Sequence, residues 1–77
     1  MKRSIWHQDY VNLRQTLLQI RLHAGLTQTE LAKVLNKPQS FVAKYEKGDR
    51  NLDFIEVLKV LDACKADVDT FLKQLKK

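Results

Sequence analysis

The sequence predicts an all-α fold, five short helices in one domain, on three observations. At 77 residues there is room for a single core, and a domain of that size is only modestly stable. One Pro and two Gly leave little material for β-turns. Apolar residues recur at helical spacing in five stretches separated by local breakers, with no repeat, low-complexity tract or linker between them.

Helix 1 is expected over residues 8–24, after an N-terminal arm of residues 1–7. Tyr10, Leu13, Leu17, Ile20 and Ala24 form its apolar stripe, widened by Val11, Leu18 and Leu22, and Gly25 offers a left-handed stop. In the arm region, Ile5, Trp6 and Tyr10 suit either a cap on the domain's own core or a contact with a second subunit. Thr27 with Glu30 three residues on is a capping box, which opens helix 2 over residues 28–35. Asn36-Lys37-Pro38 is a turn, because Asn tolerates the left-handed conformation and Pro begins a helix but cannot continue one.

Helix 3 follows over residues 39–47 and ends at Gly48, short and mostly polar outside Val42 and Tyr45. Asp53 and Glu56 make a second capping box ahead of the almost continuous apolar run Phe54, Ile55, Val57, Leu58, Val60, Leu61. Helix 4, residues 54–64, is therefore expected to be the most buried element. Asp67 is the N-cap expected for helix 5, residues 68–76, which carries Val68, Phe71, Leu72 and Leu75 and ends among Lys73, Lys76 and Lys77, where cations suit the helix dipole.

Charge and cysteine content narrow the function classes. Fourteen Lys and Arg against nine Asp and Glu leave +5, with an isoelectric point near 9.6. Residues 1–50 hold nine basic and four acidic side chains while residues 51–77 hold five of each, so the whole excess lies in the first two-thirds. A polyanionic partner fits that distribution. Cys64 is the only cysteine, which excludes an intramolecular disulfide and a Cys-based zinc site. It is expected to be a small core residue, with an intersubunit disulfide or redox switch as the sharper alternative. His7, His23 and Cys64 have no spacing that builds a catalytic or metal site, so neither an enzyme nor a cofactor is expected. No run of roughly 18 apolar residues is present, which disfavours a membrane span, and a reducing cytoplasm fits best.

The informative unit runs from Leu26 to Gly48: a short helix, a tight turn and a second short helix with a polar outer face, joined where small Ala32 allows close approach. The major groove accepts one α-helix, read by side chains near its N-terminus. Any two-helix corner shares that outline. The residues Arg21-Leu22-His23-Ala24-Gly25-Leu26-Thr27-Gln28-Thr29-Glu30-Leu31-Ala32, then Gln39-Ser40 with Val42, then Tyr45-Glu46-Lys47-Gly48, go further. Over residues 11–75 the chain resembles the Xre/Cro-type helix-turn-helix proteins that include the phage lambda and 434 repressors. The resemblance implies a compact, lambda-repressor-like DNA-binding domain with helices 2 and 3 as the helix-turn-helix.

It also implies roles. Gln28 resembles the family glutamine that bonds a backbone phosphate and braces the first glutamine of the recognition helix, here Gln39; Thr27, at the start of the same helix, is likewise an expected phosphate contact. Gln39 and Ser40 are the expected base readers, since Gln pairs with adenine N6 and N7 and Ser serves either base type. Lys44, four residues after Ser40 on one face, suits guanine or a phosphate. Phe41 suits a thymine methyl or a partly buried rim position, and Ala43 permits close approach to a base. Lys37, Lys47 and Arg50 flank the helix and suit phosphates. Arg21 and Glu46 resemble the family's structural ion pair. Lys65 and Asn36 depart from the pattern, standing where many relatives have glycine.

The function implied is a sequence-specific regulator of transcription, a repressor binding a palindromic operator as a homodimer, in the cytoplasm and on the nucleoid when bound. Half-sites would lie about 34 Å apart. The alternative is a protein-interaction module, such as an antitoxin-like partner, that binds another protein through helices 4 and 5 or the N-terminal arm.

Overall fold

Local signals set the helix boundaries in the computed structural model, which describes residues 7–76. The elements are α1 (His7–His23), α2 (Gln28–Leu35), α3 (Gln39–Lys47), α4 (Phe54–Ala63) and α5 (Val68–Leu75). Ile5 and Trp6, with the rest of residues 1–6, and Lys77 lie outside the described residues; His7, assigned to the arm from sequence, is the first residue of α1. α1, α4 and α5 each stop one residue before the sequence-based boundary, and Cys64 caps α4 without belonging to it.

Three helices start on a side-chain cap. Thr27 Oγ1 accepts from the Glu30 N–H at 3.0 Å while the Thr27 N–H donates to Glu30 Oε1 at 2.9 Å. Asp53 and Glu56 repeat the reciprocal pair at 2.8 and 3.0 Å, and Asp67 Oδ2 accepts from the Thr70 N–H at 3.1 Å. Each satisfies donors that a first turn leaves free, worth about 1 kcal/mol.

Four helices end the same way. An N–H two or three residues past the helix reaches back to a carbonyl five residues earlier, from Leu26 to Arg21, Lys37 to Ala32, Asp49 to Lys44 and Ala66 to Leu61. This closure needs one left-handed residue. Gly25 and Gly48 supply it without strain, whereas Asn36 and Lys65 adopt φ of 60° and 56° with side chains attached. At Gly48 the lack of a side chain has a second use: a Cβ there would stand 2.7 Å from Arg14 Cζ. Arg14 thus lies against the C-terminal end of α3, where the helix dipole is negative.

The core is assembled from one stripe per helix. Leu17 and Ile20 of α1 meet Leu31 and Ala32 of α2, Val42 and Tyr45 of α3, Val57, Val60 and Leu61 of α4, and Phe71 of α5. Leu26 and Leu35 are partly buried against it. α3 packs on both α1 and α2, α4 on both as well, and α5 on α1.

Not every apolar residue of the helical stripes is buried. Phe54 and Ile55 are 72% and 56% exposed, so α4 is not apolar-buried throughout; only its 57, 60, 61, 64 face is inside. A helix offers one face to a core whatever its sequence. For the same reason Tyr10 and Leu22 of α1 are exposed. Cys64 is buried, and burial pushes its thiol pKa up, which favours the inert core role over a redox switch. Tyr45 is also buried, its pKa raised chiefly by desolvation.

Lys65 tests the closure of α4. The left-handed conformation costs a non-glycine residue about 1–2 kcal/mol, partly offset by the greater freedom glycine loses on folding. Lys65→Gly is expected to stabilise the domain by about 0.5–1 kcal/mol, raising Tm by several degrees in a calorimetric scan. A lower Tm would show that the Lys65 side chain holds contacts that outweigh its backbone strain.

Candidate nucleic-acid interface

The corner between α2 and α3 is set by a buried carboxylate. Glu46, in the last turn of α3, has a side chain only 7% exposed and faces Arg21 of α1, 10% exposed. Arg21 Nε donates to Glu46 Oε2 at 2.7 Å and Nη2 to Oε1 at 3.2 Å, the two-pronged geometry suited to a carboxylate. Arg21 Nη1 donates to the Leu26 carbonyl at 2.7 Å, which ties the pair to the loop entering α2. The bond to Glu46 holds the Arg21 pKa above its usual value against the opposing effect of burial.

Gln28 extends this pair outward. The capping box at Thr27 puts Gln28 in the first position of α2. From there its Nε2 donates to Glu46 Oε1 at 2.8 Å, and its Oε1 accepts from Gln39 Nε2 at 2.7 Å. The order of these groups is forced. An ionised carboxylate only accepts, so Gln28 must turn its NH2 inward and its oxygen outward, and Gln39 must answer with its own NH2. Among the described residues Gln39 Oε1 and one of its N–H groups have no partner, which leaves the acceptor and donor that adenine N6 and N7 require.

Gln39, Ser40 and Lys44 are exposed along the start of α3, and Ala43 is half-buried beside them. Phe41 is half-buried and packs against the core, its ring edge-on to Tyr45 with centroids 5.8 Å apart. Arg50 Cζ lies 4.8 Å and Lys37 Nζ 5.4 Å from the Phe41 centroid. Phe41 is thus partly buried, with two cations beside its ring. Lys47 is exposed and 3.6 Å from Asp49, a pair of little energetic weight in water. Thr27 commits its Oγ1 and N–H to the capping box.

Two features of the site escape sequence reading. Arg50 is held end-on by Glu56, Nη1 to Oε1 at 3.1 Å and Nη2 to Oε2 at 2.9 Å. This bond, with a backbone donor from Asp53, lowers the Glu56 pKa. Arg14 sits across Gly48 at the end of α3. Neither pairing follows a fixed spacing within one helix, so no local signal announces it. Among the described residues no group of three His, Cys, Asp or Glu side chains clusters as a metal site would, and no helix is long and apolar enough to cross a membrane.

Comparison with known proteins bears on this geometry. The family model described as helix-turn-helix matches residues 17–71, which include α2, α3 and all of Arg21, Gln28, Gln39 and Glu46. No curated protein matches the chain. Among solved structures it is similar to an XRE-family like protein from Pseudomonas syringae pv. tomato str. DC3000, with 40% identity over 94% of this chain and 88% of that one and a TM-score of 0.86. It also resembles a point mutant of the restriction-modification controller protein C.Esp1396I, with a TM-score of 0.83 over 90% of each chain; at 23% identity that likeness is one of fold.

The ion pair gives a stability prediction. Arg21→Met leaves Glu46 a buried charge with one amide donor and is expected to cost about 3 kcal/mol in urea unfolding, because removing one partner of a buried pair is costlier than removing both. Arg21→Met combined with Glu46→Met should recover part of that loss. A single variant within about 1 kcal/mol of wild type would contradict a structural role for the pair.

Proposed function

We propose that this chain, which belongs to the Xre/Cro-type helix-turn-helix family of DNA-binding transcription regulators, is a repressor that binds a palindromic operator as a homodimer. The observation that carries the reading is the Gln39 amide, fixed by Gln28 with one acceptor and one donor free. A side chain ordered before binding loses less entropy on contact and discriminates bases better than a mobile one. Gln39 and Ser40 then read bases, with Ala43 allowing close approach.

Gln28 and Thr27, at the N-terminus of α2, and Lys37, Lys47 and Arg50 beside α3 contact phosphates. Phe41, half-buried under Arg50 and Lys37, shapes the rim and supports the cations. Dimerisation rests on reach: one nine-residue α3 touches only a few base pairs, and a two-fold partner supplies the rest. The exposed Phe54 and Ile55 of α4, with Val68 and Leu72 of α5, are apolar side chains suited to contact between copies. Repression follows from a bound dimer occluding a promoter.

Selection from random duplexes, with Kd of the winner measured at two salt concentrations, tests this reading. The expected result is an inverted repeat with half-sites about 34 Å apart and an affinity falling steeply with salt, since about three flanking cations per protomer neutralise about six phosphates per dimer. Weak, sequence-blind binding would overturn it and direct attention to a protein partner on α4 and α5. On the selected duplex, Gln39→Ala should relax preference at one base pair of each half-site at a cost of about 1–3 kcal/mol, with helical content unchanged. Lys44→Ala separates its two readings. Base contact predicts relaxed preference at a second position, and phosphate contact predicts a uniform loss with a shallower salt dependence.

A further inference from the structure

We propose that Glu56 is a positioning residue for DNA binding: it fixes the Arg50 guanidinium with one edge free and directed to a single backbone phosphate. The inference rests on the reading of Arg50 as a phosphate contact. It follows from counting the five N–H groups of an arginine. Glu56 takes one from Nη1 and one from Nη2, and the Asn51 carbonyl accepts from Nη1 at 3.2 Å. The two that remain, on Nε and Nη2, share the other edge of the planar group and have no partner among the described residues. That edge has the spacing of two oxygens of one phosphate.

Three contacts hold the guanidinium in place. Glu56 grips its end, Asn51 its side and Phe41 its face, 4.8 Å from ring centroid to Cζ. Glu56 is itself immobilised, because its Oε1 also accepts from the Asp53 N–H in the capping box that starts α4. One carboxylate therefore fixes both the helix start and the arginine beside the recognition helix. The Arg50 side chain remains 41% exposed, so the free edge is open to solvent, while Glu56 is 20% exposed beneath it.

An acidic residue beside a DNA-facing cation invites the opposite expectation. Across the width of a guanidinium, carboxylate and phosphate repel in water by about a threefold loss of affinity, less once salt screens them. Fixing an arginine in advance is worth up to about tenfold, because the ordering cost is met before the DNA arrives. At physiological ionic strength the second effect is larger, and the two predict opposite signs on removing the charge.

The test measures Kd against salt for wild type, Glu56→Gln, Arg50→Ala and the double variant, on the selected duplex and on a scrambled duplex of equal length. Glutamine retains the acceptor that the capping box uses, and circular dichroism verifies folding of each variant. Positioning predicts that Glu56→Gln weakens binding about three- to tenfold and lowers the magnitude of the salt slope, and that once Arg50 is alanine it weakens binding no longer, leaving at most the roughly threefold relief of repulsion. Tighter binding by Glu56→Gln with Arg50 in place overturns the proposal in favour of simple repulsion. If Arg50→Ala changes neither Kd nor slope on a duplex that wild type binds, the phosphate contact itself is wrong. Arg50→Ala weakening binding while Glu56→Gln does not would leave the contact standing and remove the positioning role.

Discussion

The charge of Glu46 constrains more of this domain than any other group. Its carboxylate is almost fully withdrawn from water, and a buried charge is tolerated only when it is paired and hydrogen-bonded. Its partners come from both other helices of the corner: the Arg21 fork from α1 and the Gln28 amide from α2. Satisfying one carboxylate thereby fixes the angle of α3 against α1 and α2 together. Arg21 adds the Leu26 carbonyl, so the loop entering α2 is held by the same charge. The hydrophobic core supplies the larger energy, but apolar contacts around Val42 and Tyr45 are non-directional. The hydrogen-bonded acid supplies the direction.

That direction passes to the surface through polar atoms alone. Glu46 dictates the orientation of the Gln28 amide and Gln28 that of Gln39, so the hydrogen-bonding face offered at the start of α3 is decided by a charge at its other end. A second acid works at the far side of the same helix. Glu56 closes the first turn of α4 and grips Arg50, which lies over Phe41. Each of the two carboxylates is hydrogen-bonded to an arginine, Glu46 to Arg21 and Glu56 to Arg50, so both negative charges are offset where they stand.

How far the sequence carried depended on the range of each interaction. The bounds of α2 and α3 were legible because both are set within a few residues, by Thr27 with Glu30, by Pro38, and by Asn36 and Gly48 in the left-handed region. The Gln28–Gln39 bond and the Arg21–Glu46 pair are 11 and 25 residues apart in the chain, and only the family resemblance pointed to them. The buried face of α4 was illegible: Phe54, Ile55, Val57, Leu58, Val60 and Leu61 are nearly all apolar, and hydrophobicity without a polar interruption does not say which side turns inward. Arg14 over Gly48 and Glu56 under Arg50 were equally hidden, since each depends on how two elements approach in space.

The claim that a buried acid orders the reading face through Gln28 is tested most directly by a double-mutant cycle between Gln28 and Gln39, read as Kd for the selected duplex. If Gln28 acts through Gln39, the alanine variants are strongly non-additive, with a coupling of about 0.5–3 kcal/mol, and Gln28→Ala relaxes base preference at the same position as Gln39→Ala. Additive losses, with Gln28→Ala weakening all sequences equally, would show that Gln28 is a phosphate contact alone and that the reading face does not depend on the buried acid.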